Sequence, residues 1–215
     1  MKNQLLFSEL LASKLCHDFA GIIGAVDSCT ELLSSADVSI KNSALQLLSI
    51  NSRKLVSRLK FYRYAYGNID SLENININEI QMLSNQCLDL VSQQIILQLR
   101  SNLHHTMLDK LVGKIIICLI IIAFEHIIKN GQINCQLSMI NNKLSIIVQA
   151  IGGYQKIDQQ KANILLGNEN WNNLNIHNCH EYYTYYLHQQ TQCELLITQS
   201  TEMIQYSVQT TLEQK

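Results

Sequence analysis

Proline is absent from all 215 residues, so the turns of this chain rest on glycine, asparagine, aspartate and serine. An excess of charge is absent too. Sixteen Lys and Arg against seventeen Asp and Glu leave a formal net charge of −1, which gives no reason to expect nucleic acid or an anionic membrane as partner. No apolar run approaches the roughly 20 residues needed to cross a bilayer. The most apolar stretch, Ile115 to Phe124, spans ten residues between Lys114 and Glu125-His126 and reads as a buried helix. Met1-Lys2-Asn3-Gln4 leads straight into an amphipathic pattern, without the apolar core and small-residue cleavage site of a secretory signal. Seven cysteines, an odd number without regular spacing, read as reduced thiols in a cytoplasmic protein.

What the chain does contain is ordered from its start. Leu11, Leu15, Phe19 or Ile22, Val26, Cys29 and Leu33 recur at three- and four-residue steps and predict one helix over residues 3–34. His17 lies two residues past Leu15. At about 100° per residue it therefore points away from the apolar stripe, toward solvent. Ser13, Ala20, Gly21, Gly24 and Ser28 share its face, and all are small. An exposed imidazole with Asp18 next to it and a cleared surface around it suits chemistry with a macromolecular partner. The two glycines each cost a helix interior roughly 0.5–1 kcal/mol relative to alanine. Close helix packing or close approach of a partner protein offsets that cost.

After a short polar connection over residues 34–39, a second helix is predicted from Ile40 to Tyr66, with Ala44, Leu48, Leu55, Leu59, Tyr62 and Tyr66 at helical spacing. Two such helices form a hairpin whose apolar stripe a single copy cannot bury. A homodimer closing a four-helix bundle is the simplest completion. Gly67-Asn68-Ile69-Asp70-Ser71 marks a boundary between a helical hairpin, residues 1–70, and a second domain, residues 71–215. There the pattern predicts a helix over Ile77 to Val91, a strand over Ile95 to Leu99, and an apolar helix from Thr106 to Lys129 stopped by Asn130-Gly131. A hairpin follows over 132–140 and 143–149, across Asn141-Asn142. Beyond a turn at Ile151-Gly152-Gly153-Tyr154 come helices over about Gln159 to Leu166 and Ile176 to Gln190, then a closing hairpin over 193–199 and 202–208. Helices grouped against a mainly antiparallel sheet make the fold class α+β, with the second domain a sandwich.

Leu15-Cys16-His17-Asp18-Phe19, then Gly24-Ala25 and Glu31-Leu32-Leu33, resembles the histidine-bearing helix of the ChpT-type histidine phosphotransferases of alphaproteobacteria. Arg58-Leu59-Lys60-Phe61-Tyr62-Arg63-Tyr64-Ala65-Tyr66-Gly67 is similar to the end of that family's second helix, and Glu181 to Leu187 continues the likeness, so it covers nearly the whole chain. One departure is again an absence: the family usually has a proline near Ile22. The resemblance implies a homodimer with a central four-helix bundle and an attached degenerate histidine-kinase ATPase-like domain. It also implies a phosphorelay role, from the receiver domain of a CckA-like hybrid histidine kinase through the chain's own histidine to CtrA-like and CpdR-like response regulators in cell-cycle signalling.

In that reading His17 is the phosphoacceptor, attacking through Nε2, while Asp18 or another carboxylate orients the ring through Nδ1. Ser13, Ala20, Gly21 and Gly24 keep the docking face open, and Lys14, Lys54 and Arg58 either steer an acidic receiver surface or form a solvated helix face. No cofactor is expected on this chain, and the Mg²⁺ for transfer is expected on the partner receiver domain. A working kinase needs an asparagine-bearing nucleotide helix and an Asp-x-Gly-x-Gly strand end. Here Cys118 to His126 has no asparagine and Gln149-Ala150-Ile151-Gly152-Gly153 no carboxylate, so no ATP-dependent autophosphorylation is expected. An ATP-dependent kinase fragment and a non-catalytic docking scaffold are the alternative readings. His177, Cys179 and His180, with His188 or Cys193, match no closed zinc spacing and read as helix-surface residues beside an apolar face.

Overall fold

Two long helices open the computed structural model, which describes residues 2–68, 73–91, 95–103, 107–141, 143–154, 157–191 and 193–211. α1 spans Lys2–Leu32 without interruption at Ile22, and α2 spans Val38–Tyr66. Asp37 starts α2 by accepting the amides of Ser39 and Ile40 at 2.7 and 3.4 Å, two donors that a helix start leaves open. The helices pair as a hairpin with Cys29 and Ala44 buried in its upper part. Of the expected boundary, Ile69, Asp70 and Ser71 lie outside the described residues.

β1 (Ile75–Asn76) leads into α3 (Ile77–Val91), whose start is a reciprocal cap: Asn76 Oδ1 accepts the Glu79 amide at 2.9 Å and Glu79 Oε2 accepts the Asn76 amide at 3.0 Å. β2 (Ile95–Ser101), β3 (Met107–Leu108), α4 (Lys110–Glu125), β4 (Ile127–Ile140) and β5 (Lys143–Tyr154) follow. The chain continues through α5 (Gln159–Leu165), a single 3-10 turn at Trp171–Asn173, α6 (Cys179–Thr191), β6 (Glu194–Gln199) and β7 (Met203–Thr211).

Five strands form one sheet in the order β2-β4-β5-β7-β6, parallel only between β2 and β4, and β1 pairs with β3 separately. Strand alternation puts Ile133, Cys135, Leu137, Ile146, Val148, Ala150, Ile204, Tyr206 and Val208 on a buried face, and Asn134, Gln136, Gln149, Gln205 and Ser207 on the other. α4 is buried from Val112 through Ala123 in the core that includes this face. That is why its sequence shows no polar stripe. Lys114, 1 % exposed within α4, donates to the carbonyl of Gly67 at the end of α2, with its ammonium 5.6 Å from the ring centre of Tyr183.

The α+β class and the helical hairpin match the sequence reading; several boundaries do not, among them the start of the apolar helix, where Met107–Leu108 form β3 and α4 begins at Lys110. The apolar helix ends at Glu125, the chain turns at His126, and β4 has begun by Ile127. Asn130-Gly131 therefore belongs to a strand whose register shifts between Ile127 and Gly131, and Thr106 lies outside the described residues. Ile151 to Tyr154, read as a turn, is the end of β5, where Gly152 at φ +105° comes so close to Gly131 that an added Cβ would meet its Cα at 3.0 Å. α6 starts at Cys179 because Asn175 and Asn178 turn the preceding segment: Asn175 Oδ1 accepts the His177 amide and Asn178 Oδ1 the Asn175 amide. Asn141 takes the positive φ of the β4–β5 turn, while Asn142 lies outside the described residues.

Candidate functional site

Helix periodicity delivers His17 to the surface, and the structure places it there: its side chain is 82 % exposed on the middle of α1. Ser13, Ala20, Gly21 and Gly24 are exposed with it. A Cβ built at Gly21 or Gly24 would meet nothing within 4 Å, so packing inside this chain is not what those glycines serve. The small-residue face is open.

Asp18 is held differently. Its Oδ2 accepts the hydroxyl of Tyr62 at 2.8 Å, and its main-chain oxygen accepts Nη1 of Arg58 at 2.7 Å. Oδ1 faces Nδ1 of His17 at 3.4 Å and Nζ of Lys14 at 3.9 Å. Tyr62 is itself set edge-on against Phe19, with ring centres 5.8 Å apart. Burial, reinforced by the Asp18 carboxylate, pushes the Tyr62 phenol far above its ordinary value, so it stays a hydrogen-bond donor. Burial pushes the Cys87 thiol on α3 up to about 11, with the Arg58 guanidinium opposing. Lys14 and Arg58, read from the sequence as steering cations, are thus turned onto Asp18, and Lys54 is partly buried on α2.

From Lys14 a chain of charges runs into the α/β layer. Nζ of Lys14 lies 4.0 Å from Oε1 of Glu125, at the last residue of α4. Glu125 stands 3.6 Å from Nε2 of His180 and 3.5 Å from Lys161, and Lys161 pairs with Oε1 of buried Glu181 at 2.8 Å. Burial raises the Glu181 carboxyl above its usual range, with Lys161 opposing. Lys161 is drawn down by burial, yet Glu181 and Glu125 outweigh that and raise it. Burial lowers His180, whose ring stacks on Tyr66 and whose Nδ1 is hydrogen-bonded to the Tyr66 hydroxyl. Beside this cluster, Phe7 of α1 stacks on Tyr183 and packs edge-on to Trp171. The sequence reading names Lys14 as a steering cation, His180 among the residues weighed for zinc, Tyr66 as apolar stripe and Glu181 to Leu187 in the resemblance, but brings none of them together.

Among the described residues no three His, Cys, Asp or Glu side chains converge to hold a metal. Of the residues weighed for zinc, His177 is exposed, whereas Cys179, His180 and His188 are buried and not on the helix surface. No helix among the described residues is long and apolar enough to cross a membrane.

A helical hairpin joined to an α/β layer of this topology is a histidine-kinase-like fold. Known structures share it. A bacterial phosphotransferase solved at 1.7 Å superposes with a TM-score of 0.78 at 20 % identity, covering 95 % of this chain and 96 % of its own. The Acinetobacter baumannii histidine kinase AdeS matches at 0.51 and 8 % identity over 92 % of this chain and 98 % of that one. The catalytic domain of the histidine kinase ThkA matches at 0.50 and 12 % identity over 65 % of this chain and 95 % of its own. The family model described as histidine phosphotransferase C-terminal domain matches residues 84–202, and the chain belongs to that family. No curated protein matches the sequence.

Proposed function

We propose that the chain is a ChpT-type histidine phosphotransferase in a multistep phosphorelay. It accepts a phosphoryl group on Nε2 of His17 from the receiver domain of a CckA-like hybrid histidine kinase and passes it to CtrA-like and CpdR-like response regulators in the cytoplasm. The observation that carries this reading is an exposed His17, beside Asp18, on an open face of small residues in a member of this family. Phosphoryl transfer asks for in-line approach and charge neutralisation rather than a deep cleft. An open helix face lets the receiver bring its aspartyl phosphate and Mg²⁺ to the ring. Incubation with a phosphorylated receiver domain should leave an alkali-stable, acid-labile phosphate, mapped by mass spectrometry to His17. Label on another residue, or none, overturns the reading.

The working unit in this proposal is a homodimer, with residues 1–70 supplying the bundle. Leu45, Val56 and Leu59 lie within about 60° of one another around α2 and are 53, 51 and 58 % exposed, a stripe that a single copy leaves in water. Light scattering on the purified chain should give twice its 24.5 kDa mass, and Leu45→Lys with Leu59→Lys should halve it. A monomeric wild type removes the bundle.

The α/β layer in this proposal docks partners and does not load phosphate from ATP. Supporting this are the apolar α4, the strand end Gln149 to Gly153 without a carboxylate, and the ion cluster Glu125–Lys161–Glu181 joining α4, α5 and α6. Calorimetric titration with Mg²⁺-ATP is expected to show no saturable heat. A micromolar isotherm would favour the kinase-fragment reading.

A further inference from the structure

Asp18 has more partners than a helix-surface aspartate needs. Residues 58 and 62 stand one turn apart on α2, and both reach across the hairpin to it. Arg58 takes the main-chain oxygen at 2.7 Å and Tyr62 takes Oδ2 at 2.8 Å. The first bond fixes where the residue sits; the second fixes the plane of its carboxylate. With Oδ2 occupied, Oδ1 is the oxygen left facing Nδ1 of His17, and Lys14 stands on the same oxygen at 3.9 Å. Phe19 against the Tyr62 ring holds the phenol in place.

We infer that Tyr62 is a positioning residue for phosphoryl transfer at His17: by holding Oδ2 of Asp18 it turns Oδ1 toward Nδ1, so that Nε2 carries the lone pair. This rests on the phosphorelay reading and extends it to a residue on the other helix. In the transfer step the Nε2 lone pair forms the N–P bond. The P–O bond of the acyl phosphate breaks, and its electrons remain on the receiver's carboxylate. Nδ1 keeps its proton throughout, so the phosphorylated ring is a cation facing Oδ1. In the reverse step the same electron pair returns to Nε2. Tyr62 exchanges no proton; it acts only through Asp18.

Tyr62→Phe removes one oxygen and leaves the ring packed on Phe19, which makes it the probe. Two readouts are used. The first is ¹⁵N NMR of the His17 ring, which needs no phosphoryl donor; the second is the rate of phosphorylation by phosphoramidate, which needs no receiver. In wild type the ¹⁵N shifts should show Nδ1 protonated and Nε2 bare. Tyr62→Phe should move them toward an unbiased tautomer mixture and slow phosphorylation about tenfold, with circular dichroism unchanged. In an Asp18→Asn background Tyr62→Phe should have no further effect, because its route to His17 is already cut. Unchanged ring shifts and rate in Tyr62→Phe overturn the inference, as does an equal slowing in the Asp18→Asn background. A wild type labelled by phosphoramidate but not by any phosphorylated receiver strikes at the phosphorelay reading instead, while the NMR comparison still decides the role of Tyr62.

Discussion

His17→Ala is expected to lower the rate of phosphoryl acceptance at least about 10³-fold, taking the label below detection. In the proposed relay the imidazole is the nucleophile, and among the described residues nothing near it substitutes. Ser13, Ala20, Gly21 and Gly24 bring no nitrogen to that face, while His126, His180 and His188 are buried. His177 is the other exposed histidine among the described residues and belongs to the segment before α6. The fold should be indifferent to the change. The ring is 82 % exposed and faces only Asp18, at 3.4 Å, so the variant's unfolding free energy should stay within about 0.5 kcal/mol of wild type. A pulse of phosphorylated receiver followed by gel autoradiography reads the first part, and urea denaturation the second. A His17→Ala variant that labels at the wild-type rate ends the proposal for this site.

The second large effect is on stability. Lys161→Ala should cost about 3–5 kcal/mol, because it leaves the carboxylate of Glu181, 1 % exposed, buried without its counter-charge. For a chain of this size that lowers the melting temperature by roughly 10 °C. Glu181→Gln in the same background should restore most of the loss, since a neutral amide needs no ammonium beside it. The sign with pH is fixed by the direction of the Glu181 shift. Burial already holds that carboxyl above its usual value, so in the variant the folded state takes up a proton before the unfolded state does. The deficit relative to wild type should therefore be largest at pH 7 and shrink as the pH falls toward 5. Denaturant midpoints at the two pH values measure this. A deficit under 1 kcal/mol at pH 7 would show that water, or a proton taken up by Glu181 itself, relieves the buried carboxylate without Lys161.

The hairpin and the His17 face were legible because a helix maps sequence spacing onto direction, and a 3.6-residue period separates Leu11, Leu15 and Cys29 from His17, Ala20 and Gly24. The same rule hid Tyr62. Counted as one more apolar position, it kept its ring in the stripe while its hydroxyl crossed to Asp18, and periodicity carries no record of a side chain's far end. The end of α4 was misplaced for a related reason. Isoleucines stand on both sides of Glu125-His126 and serve a helix and a strand equally well, so that polar pair reads through as helix where α4 ends and β4 begins. The ion cluster had no signal at all. Lys14, Glu125, Lys161 and Glu181 stand on four different helices, and only the finished fold makes them neighbours.

The seat of α1 against α6 has a consequence for biosynthesis. Phe7 lies against Trp171 and Tyr183, and Lys14 reaches Glu125, so the segment leading up to His17 is completed by residues more than a hundred positions downstream. At about 5–20 residues per second the ribosome needs roughly 10–30 s to make the intervening chain. Throughout that interval α1 can pair with α2, but Phe7 and Lys14 lack the partners that seat them. The helix that carries His17 is made well before the residues that complete its seat.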